Sequence, residues 1–135
     1  MNAVDTNVLV YLHDPRDPAK QAIAGMLVRS LTNGALIWQV ACEYIAAARK
    51  LKPLGVTEDE IWQNLKLLRS SWTILLPVAG HLDRAEILLR QHSLSFWDSV
   101  LLAVALERGV TTLYSEDLVG VGNIPGIQIV NPFAP

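Results

Sequence analysis

The chain has 135 residues, 51% apolar and 18% charged; this fits a single domain with a sizeable core and is too apolar for a disordered protein. Eleven Lys and Arg against 13 Asp and Glu leave a net charge of −2, which excludes a generally basic nucleic-acid coat but not a local basic patch. No apolar run reaches the ~18 residues that span a bilayer, no basic-then-apolar leader opens the chain, and the one cysteine, Cys42, has no partner for an intramolecular disulfide; the expectation is a cytoplasmic protein without membrane contact.

In chain order, Met1 to Val4 reads as a short buried strand. Pro15 and Pro18 punctuate the chain, and Ile23, Met26, Leu27 and Leu31 then fall at helical spacing over 16–32, up to Asn33-Gly34. Ala35 to Trp38 is a short apolar strand. A helix follows over 40–51, stopped by Pro53, with Cys42 expected inside as a small buried hydrophobe. Thr57 and Glu60 form a capping-box pattern opening a helix through Ile61, Leu65 and Leu68. Thr73 to Leu76 is a strand, 81–92 a helix, and 95–108 a helix ending at Gly109. Thr111 to Tyr114 and Ile127 to Val130 are strands, with a Gly-rich loop between them. Strands alternating with helices predict an α/β three-layer sandwich of one domain, residues 1–135: a parallel sheet of four to five short strands with helices on both faces. Such sheets carry their sites beyond the carboxyl ends of the strands.

Four carboxylates stand at such places. Asp5 follows the first strand; it caps the turn at Val8 or belongs to a site, and its own position does not separate the two. Glu43 lies in the apolar stretch "QVACEYIAAA" with Ala46 and Ala47 at the next helical positions, so it has no Lys partner there. Asp98 sits three residues after Ser95, where it either closes a capping box or faces the strand ends. Asp117 follows a late strand and also suits an ordinary turn, with Glu116 as its solvated neighbour. Gathered together without a cation, the four would repel and some would take up protons. An oxygen-only donor set without sulfur or imidazole suits Mg²⁺ or Mn²⁺. His13, His81 and His92 are scattered without ligand spacing and read as ordinary surface or core residues.

The segments "VDTNVLVYL" at 4–12, "QVACEY" at 39–44, "FWDSVLLAVA" at 96–105, "TLYSEDL" at 112–118 and "IPGIQIVNPF" at 124–133 resemble the PIN-domain nucleases, most closely the VapC-type toxins of bacterial toxin–antitoxin pairs. The resemblance implies a PIN-like fold and a metal-dependent endoribonuclease. It makes Asp5, Glu43, Asp98 and Asp117 catalytic ligands of Mg²⁺ or Mn²⁺, with Thr6, Asn7 and Ser115 in support. It further implies an RNA substrate, a homodimer and a small antitoxin protein as partner. One position departs from the pattern: Gly120 stands where many relatives have another acid, which weakens any second metal site.

The chemistry expected is attack on a phosphodiester by metal-activated water, with no side-chain nucleophile. Arg49, Lys50 and Lys52, at the end of the helix carrying Glu43, are candidate phosphate contacts, as are Arg16 and Lys20; a solvated charged face is the competing reading of both sets. Trp38, Trp62, Trp72 and Trp97 suit base stacking or, more simply, core packing and partner contact. The helix running to Trp72 carries more apolar surface than one core face needs, which suggests an interface. Aspartate-nucleophile phosphohydrolases also place Asp after a first strand, but they need a second Asp where this chain has Asn7. A PIN ribonuclease without antitoxin, or a PIN module that binds without cleaving, are the remaining alternatives.

Overall fold

The computed structural model describes residues 1–118 and 121–135 in full, and Val119 and Gly120 only in backbone course. Five parallel strands form one sheet in the order β3-β2-β1-β4-β5. They are β1 (Asn2–Val4), β2 (Gly34–Ile37), β3 (Thr73–Leu75), β4 (Thr112–Tyr114) and β5 (Gln128–Val130). The chain moves outward from β1 through β2 to β3, then returns to lay β4 on the other side of β1. That reversal creates a crevice at the carboxyl ends of β1 and β4, where open α/β sheets bind ligands. Val4 pairs with Tyr114, so both strands end level.

Among the described residues, six helices flank the sheet: α1 (Thr6–Tyr11), α2 (Pro18–Ser30), α3 (Trp38–Ala48), α4 (Glu58–Ser71), α5 (His81–Gln91) and α6 (Phe96–Glu107). The strands are short and buried on both faces in the centre: Ala3, Val4, Ala35, Leu36, Ile37 and Leu113 are all almost wholly enclosed, as central strands of a covered parallel sheet must be. α6 is buried almost all round, through Leu101, Leu102, Ala103, Val104 and Ala105. Its apolar composition had marked it as the central helix. Thr57 and Glu60 close the predicted capping box of α4.

Several boundaries differ from the sequence-based expectation. β2 passes into α3 without a loop, so Trp38 is the first helical residue and not the end of a strand. Pro53 does not stop the chain after α3; the backbone tightens into a 3₁₀ segment over Arg49–Leu54, which tolerates a residue without an N–H. Asn33-Gly34 is not a helix end: α2 stops at Ser30, Asn33 takes a left-handed φ of 49°, and Gly34 opens β2. Gly34 is required by packing. A Cβ there would stand 2.5 Å from Cδ1 of the buried Trp72.

Cys42 is a correction. It is exposed, because only Val40, Tyr44 and Ala48 of α3 are buried, at helical spacing along one face. The apolar residues of α3 outnumber the positions the core can cover, and Trp38, Cys42 and Ala46 face outward. No helix among the described residues is long and apolar enough to cross a membrane.

Candidate active site

Asp5 extends from the end of β1 as the N-cap of α1: its Oδ1 accepts the Thr6 N–H at 2.7 Å. Capping uses only that oxygen. Oδ2 accepts the Ser115 hydroxyl at 2.8 Å, and the Asp5 N–H bonds to the Tyr114 carbonyl, continuing the β1–β4 ladder by one step. The cap reading and the site reading therefore both hold, on different atoms. Asp5 is 7% exposed. Burial pushes its carboxyl above the ordinary carboxylate range; the Ser115 and Thr6 hydrogen bonds oppose that, and the charges of Asp98 and Glu43 add to it.

Glu43 projects from the first half of α3. Its Oε2 accepts the Thr6 hydroxyl at 2.8 Å and its Oε1 accepts Gln39 Nε2 at 2.8 Å. Its helical partner is thus Gln39, four residues before it, and not a residue after it. Gln39 Nε2 also donates to the Trp97 carbonyl at 3.0 Å, tying α3 to the start of α6. Gln39 Oε1 is buried and accepts nothing.

Asp98 lies in the first turn of α6. Ser95 caps that helix by accepting the Asp98 N–H at 3.1 Å. The reciprocal half of the box is not made, so the Asp98 carboxylate is left to the cleft. Asp117 follows β4, and Asn7 Nδ2 donates to its Oδ2 at 3.1 Å. Ser115, wholly buried, organises this loop: its Oγ accepts the N–H groups of Asp117 and Leu118 at 3.2 and 3.3 Å while donating to Asp5.

Asp5, Glu43, Asp98 and Asp117 line one open cleft of about 420 Å³, together with Thr6, Asn7, Val10, Tyr11, Asp14 and Ala47. Four segments distant in the chain thus meet at the β1–β4 crevice. Within that cleft, among the described residues, no three acidic, His or Cys side chains are spaced as a ready-made cage. The oxygens of Asp5, Glu43 and Asp117 are instead turned onto the hydroxyl and amide donors of Thr6, Asn7, Gln39 and Ser115. Uncompensated like charges separate and recruit neutral donors, so this is the arrangement expected of the protein groups alone. The donor set is oxygen-only, and its central member is buried beside two other carboxylates. These features fit a hard divalent cation that keeps several of its waters.

Sequence reasoning missed Asp14, Tyr11 and Gln39. Asp14 is buried at the cleft wall and gripped by Arg16, whose Nε and Nη2 reach its two oxygens at 2.9 Å each. The Arg16 hydrogen bond holds its carboxyl below the usual range. The spacing Asp14-x-Arg16 was the available signal. Arg16 is therefore committed to Asp14, and Lys20 to Glu116. Arg49 pairs with Glu58 at 2.9 Å, and none of Arg49, Lys50 and Lys52 lines the acidic cleft. The Gly120 departure falls on a residue outside the fully described set. Of the four tryptophans, Trp72 is in the core, while Trp38, Trp62 and Trp97 are each about half exposed or more.

Comparison of the sequence with curated proteins finds no match. Among solved structures, the chain is similar to a toxin–antitoxin complex from Klebsiella pneumoniae (20% identity, 98% of each chain covered, TM-score 0.72). It is also similar to VapC20 of Mycobacterium tuberculosis, described as a sarcin-ricin loop cleaving toxin (19% identity, 92% of this chain and 98% of that one, TM-score 0.68). A third is VapBC2 of Rickettsia felis bound to DNA from its promoter (16% identity, 95% and 96% covered, TM-score 0.66). At these identities the likeness concerns the fold. The sequence itself matches the PIN domain model over residues 3–119, taking in all four carboxylates, and the chain belongs to the PIN-domain family of nucleases.

Proposed function

We propose that the protein is a Mg²⁺- or Mn²⁺-dependent endoribonuclease and the toxin of a type II toxin–antitoxin pair, acting as one domain over residues 1–135. The observation that carries the nuclease reading is the convergence of Asp5, Glu43, Asp98 and Asp117 on one cleft at the β1–β4 crevice. RNA as substrate and a small antitoxin are supported by the kind of proteins its structural neighbours are: a toxin described as cleaving the sarcin-ricin loop, and toxin–antitoxin complexes; a homodimer and a cytoplasmic setting complete the proposed reading.

Asp5 would be the central ligand, with Glu43 and Asp98 completing one cation site directly or through water, and Asp117 would serve a second. When bound, such a cation lowers the pKa of a coordinated water and offsets the charge that develops on the phosphate in the transition state. The chain's own residues do the positioning. The Ser115 hydroxyl and the Thr6 N–H orient Asp5, and their hydrogen bonds favour its charged form against its burial. The Thr6 hydroxyl and Gln39 orient Glu43. Asn7, an amide without a transferable proton, orients Asp117 and does not serve as an acid–base partner to an aspartate nucleophile.

Wild type, Asp5→Asn and Asp98→Asn are to be compared on a panel of structured RNAs, with Mg²⁺ or Mn²⁺ and with EDTA. Each substitution is expected to lower cleavage by a factor of about 10² or more, as loss of a group that stabilises transition-state charge does, and EDTA to abolish it. Equal cleavage by all three proteins, or cleavage indifferent to EDTA, refutes the assignment.

A further inference from the structure

The loop that carries Asp117 is also held from outside the cleft, by a residue that sequence reading left as a solvated neighbour. Glu116 turns away from the four carboxylates. Its Oε2 accepts Lys20 Nζ at 2.7 Å and its Oε1 accepts the Tyr11 hydroxyl at 2.9 Å. Lys20 Nζ also lies 3.3 Å from Tyr11 Oη. The same ammonium stands 5.0 Å from the centre of the Tyr11 ring and 5.6 Å from that of Phe133, and these rings meet edge to face at 4.9 Å. One cation thus joins α1, α2, the loop after β4 and the C-terminal segment. The Lys20 and Glu116 side chains are 31% and 25% exposed, against 60% and 45% for Arg49 and Glu58, so solvent screens the former pair less.

On the cleft side, the Glu116 N–H donates to Asn7 Oδ1 at 3.3 Å, and Asn7 Nδ2 donates in turn to Asp117. The position of Glu116 therefore sets both Asn7 and Asp117. Released from Lys20, Glu116 would add one more carboxylate beside a cleft that five already line, and free the loop to move.

We propose that Lys20, with Tyr11, is a positioning residue: by holding Glu116 outside the cleft it fixes Asp117 and Asn7 for a divalent cation. This rests on the nuclease reading for the cation's role, and is tested apart from cleavage by the affinity of the protein for Mn²⁺ alone, measured by calorimetry. The sign is diagnostic. Lys20→Met removes a positive charge near an acidic cleft, so electrostatics alone tightens Mn²⁺ binding, whereas loss of positioning weakens it, by about tenfold as for other supporting partners of metal ligands.

Lys20→Met and Glu116→Gln are each expected to weaken binding. Their double variant is expected to be no weaker than the weaker single, because both act through one contact. Lys20→Arg restores binding. Tyr11→Phe keeps the ring packing and weakens binding only in part. Arg90→Ala, which breaks a distant surface pair with Glu86, leaves binding unchanged. In RNA cleavage, Lys20→Met lowers kcat with KM little altered; a direct phosphate contact would raise KM and reduce the salt dependence instead. A folded Lys20→Met protein that binds Mn²⁺ as tightly as wild type, or more tightly, overturns the proposal. A wild type that binds Mn²⁺ but cuts no RNA overturns the nuclease reading and leaves the clamp standing. A wild type that binds no Mn²⁺ overturns both.

Discussion

His13 shows how far one side chain's role depends on neighbours that no local spacing reveals. Its Nε2 stands 2.6 Å from Tyr44 Oη, and the same phenol oxygen accepts Asn64 Nδ2 at 2.9 Å. With Asn64 donating, the hydroxyl proton points to His13, which accepts as a neutral imidazole. Burial lowers the His13 pKa below the ordinary 6.5, with Glu60 opposing weakly, and burial raises the Tyr44 phenol to about 12. The unfolded chain then binds a proton at His13 that the folded one refuses, so stability falls as pH drops from 6.5 toward the folded pKa. The slope from this one proton is at most about 1.4 kcal/mol per pH unit. Chemical denaturation of wild type and His13→Gln between about pH 7.5 and 5.5, a window bracketing the ordinary imidazole pKa, is expected to show a shallower loss in the variant; parallel curves would remove His13 from the account. The carboxylates teach the same lesson. Asp5 was an ambiguous cap from sequence, and its atoms turn out to divide between the cap and the site. Asp98 was an equally ambiguous capping-box residue, and the unmade half of that box leaves it free for the cleft.

Elements were legible where their signal is local. The Thr57–Glu60 box opens α4 as its pattern predicted, and the apolar composition of α6 marked it as central. Boundaries set by long-range packing were not. Gly34 reads as a helix stop beside Asn33, yet it begins β2 because Trp72, arriving from the end of α4, fills the space a side chain would need. Gly34→Ala is expected to destabilise by about 1–3 kcal/mol, the usual cost of an overpacked site, read as a lower midpoint in urea. A matching loss in Trp72→Leu/Gly34→Ala would argue against that contact, since the smaller side chain should restore room. The 3₁₀ segment after α3 bears on substrate. Arg49 is engaged by Glu58, leaving Lys50 and Lys52 without ion pairs among the described residues. If they contact RNA phosphates outside the cleft, Lys50→Ala/Lys52→Ala lowers the slope of log affinity against log salt by about one for each phosphate no longer neutralised. An unchanged slope leaves them as a solvated face.

At the scale of the molecule, the outward face of α3 and the start of α6 are unusually apolar, and Trp62 of the otherwise polar outer face of α4 lies beside them. Trp38 is 51% exposed, Trp62 46% and Trp97 62%, and two apolar pockets share Trp38 and Cys42 between them. The expectation of excess apolar surface near the helix ending at Trp72 therefore has a counterpart, displaced from Trp72 itself, which is buried, to Trp62, Leu67 and the α3 face. The proposed homodimer or antitoxin would cover such surface. Light scattering is expected to give twice the 14.9 kDa chain mass, and Trp38→Ser/Trp97→Ser to shift it toward one. A monomer at all concentrations, unchanged by co-expression with a neighbouring small open reading frame, would count against both partners.

The sequence by itself determined the alternation of strands and helices, hence a parallel sheet, and the identity of the four carboxylates. Period, capping chemistry and composition are local properties that survive in a one-dimensional reading. Only the tertiary structure decided which of these carboxylates share a cleft, which donors hold them, and that Glu116 belongs to Lys20 and Tyr11 and not to solvent. Those contacts join residues up to 110 positions apart. They depend on the strand order that lays β4 beside β1, which is fixed by how the whole chain covers its sheet and is written in no single segment.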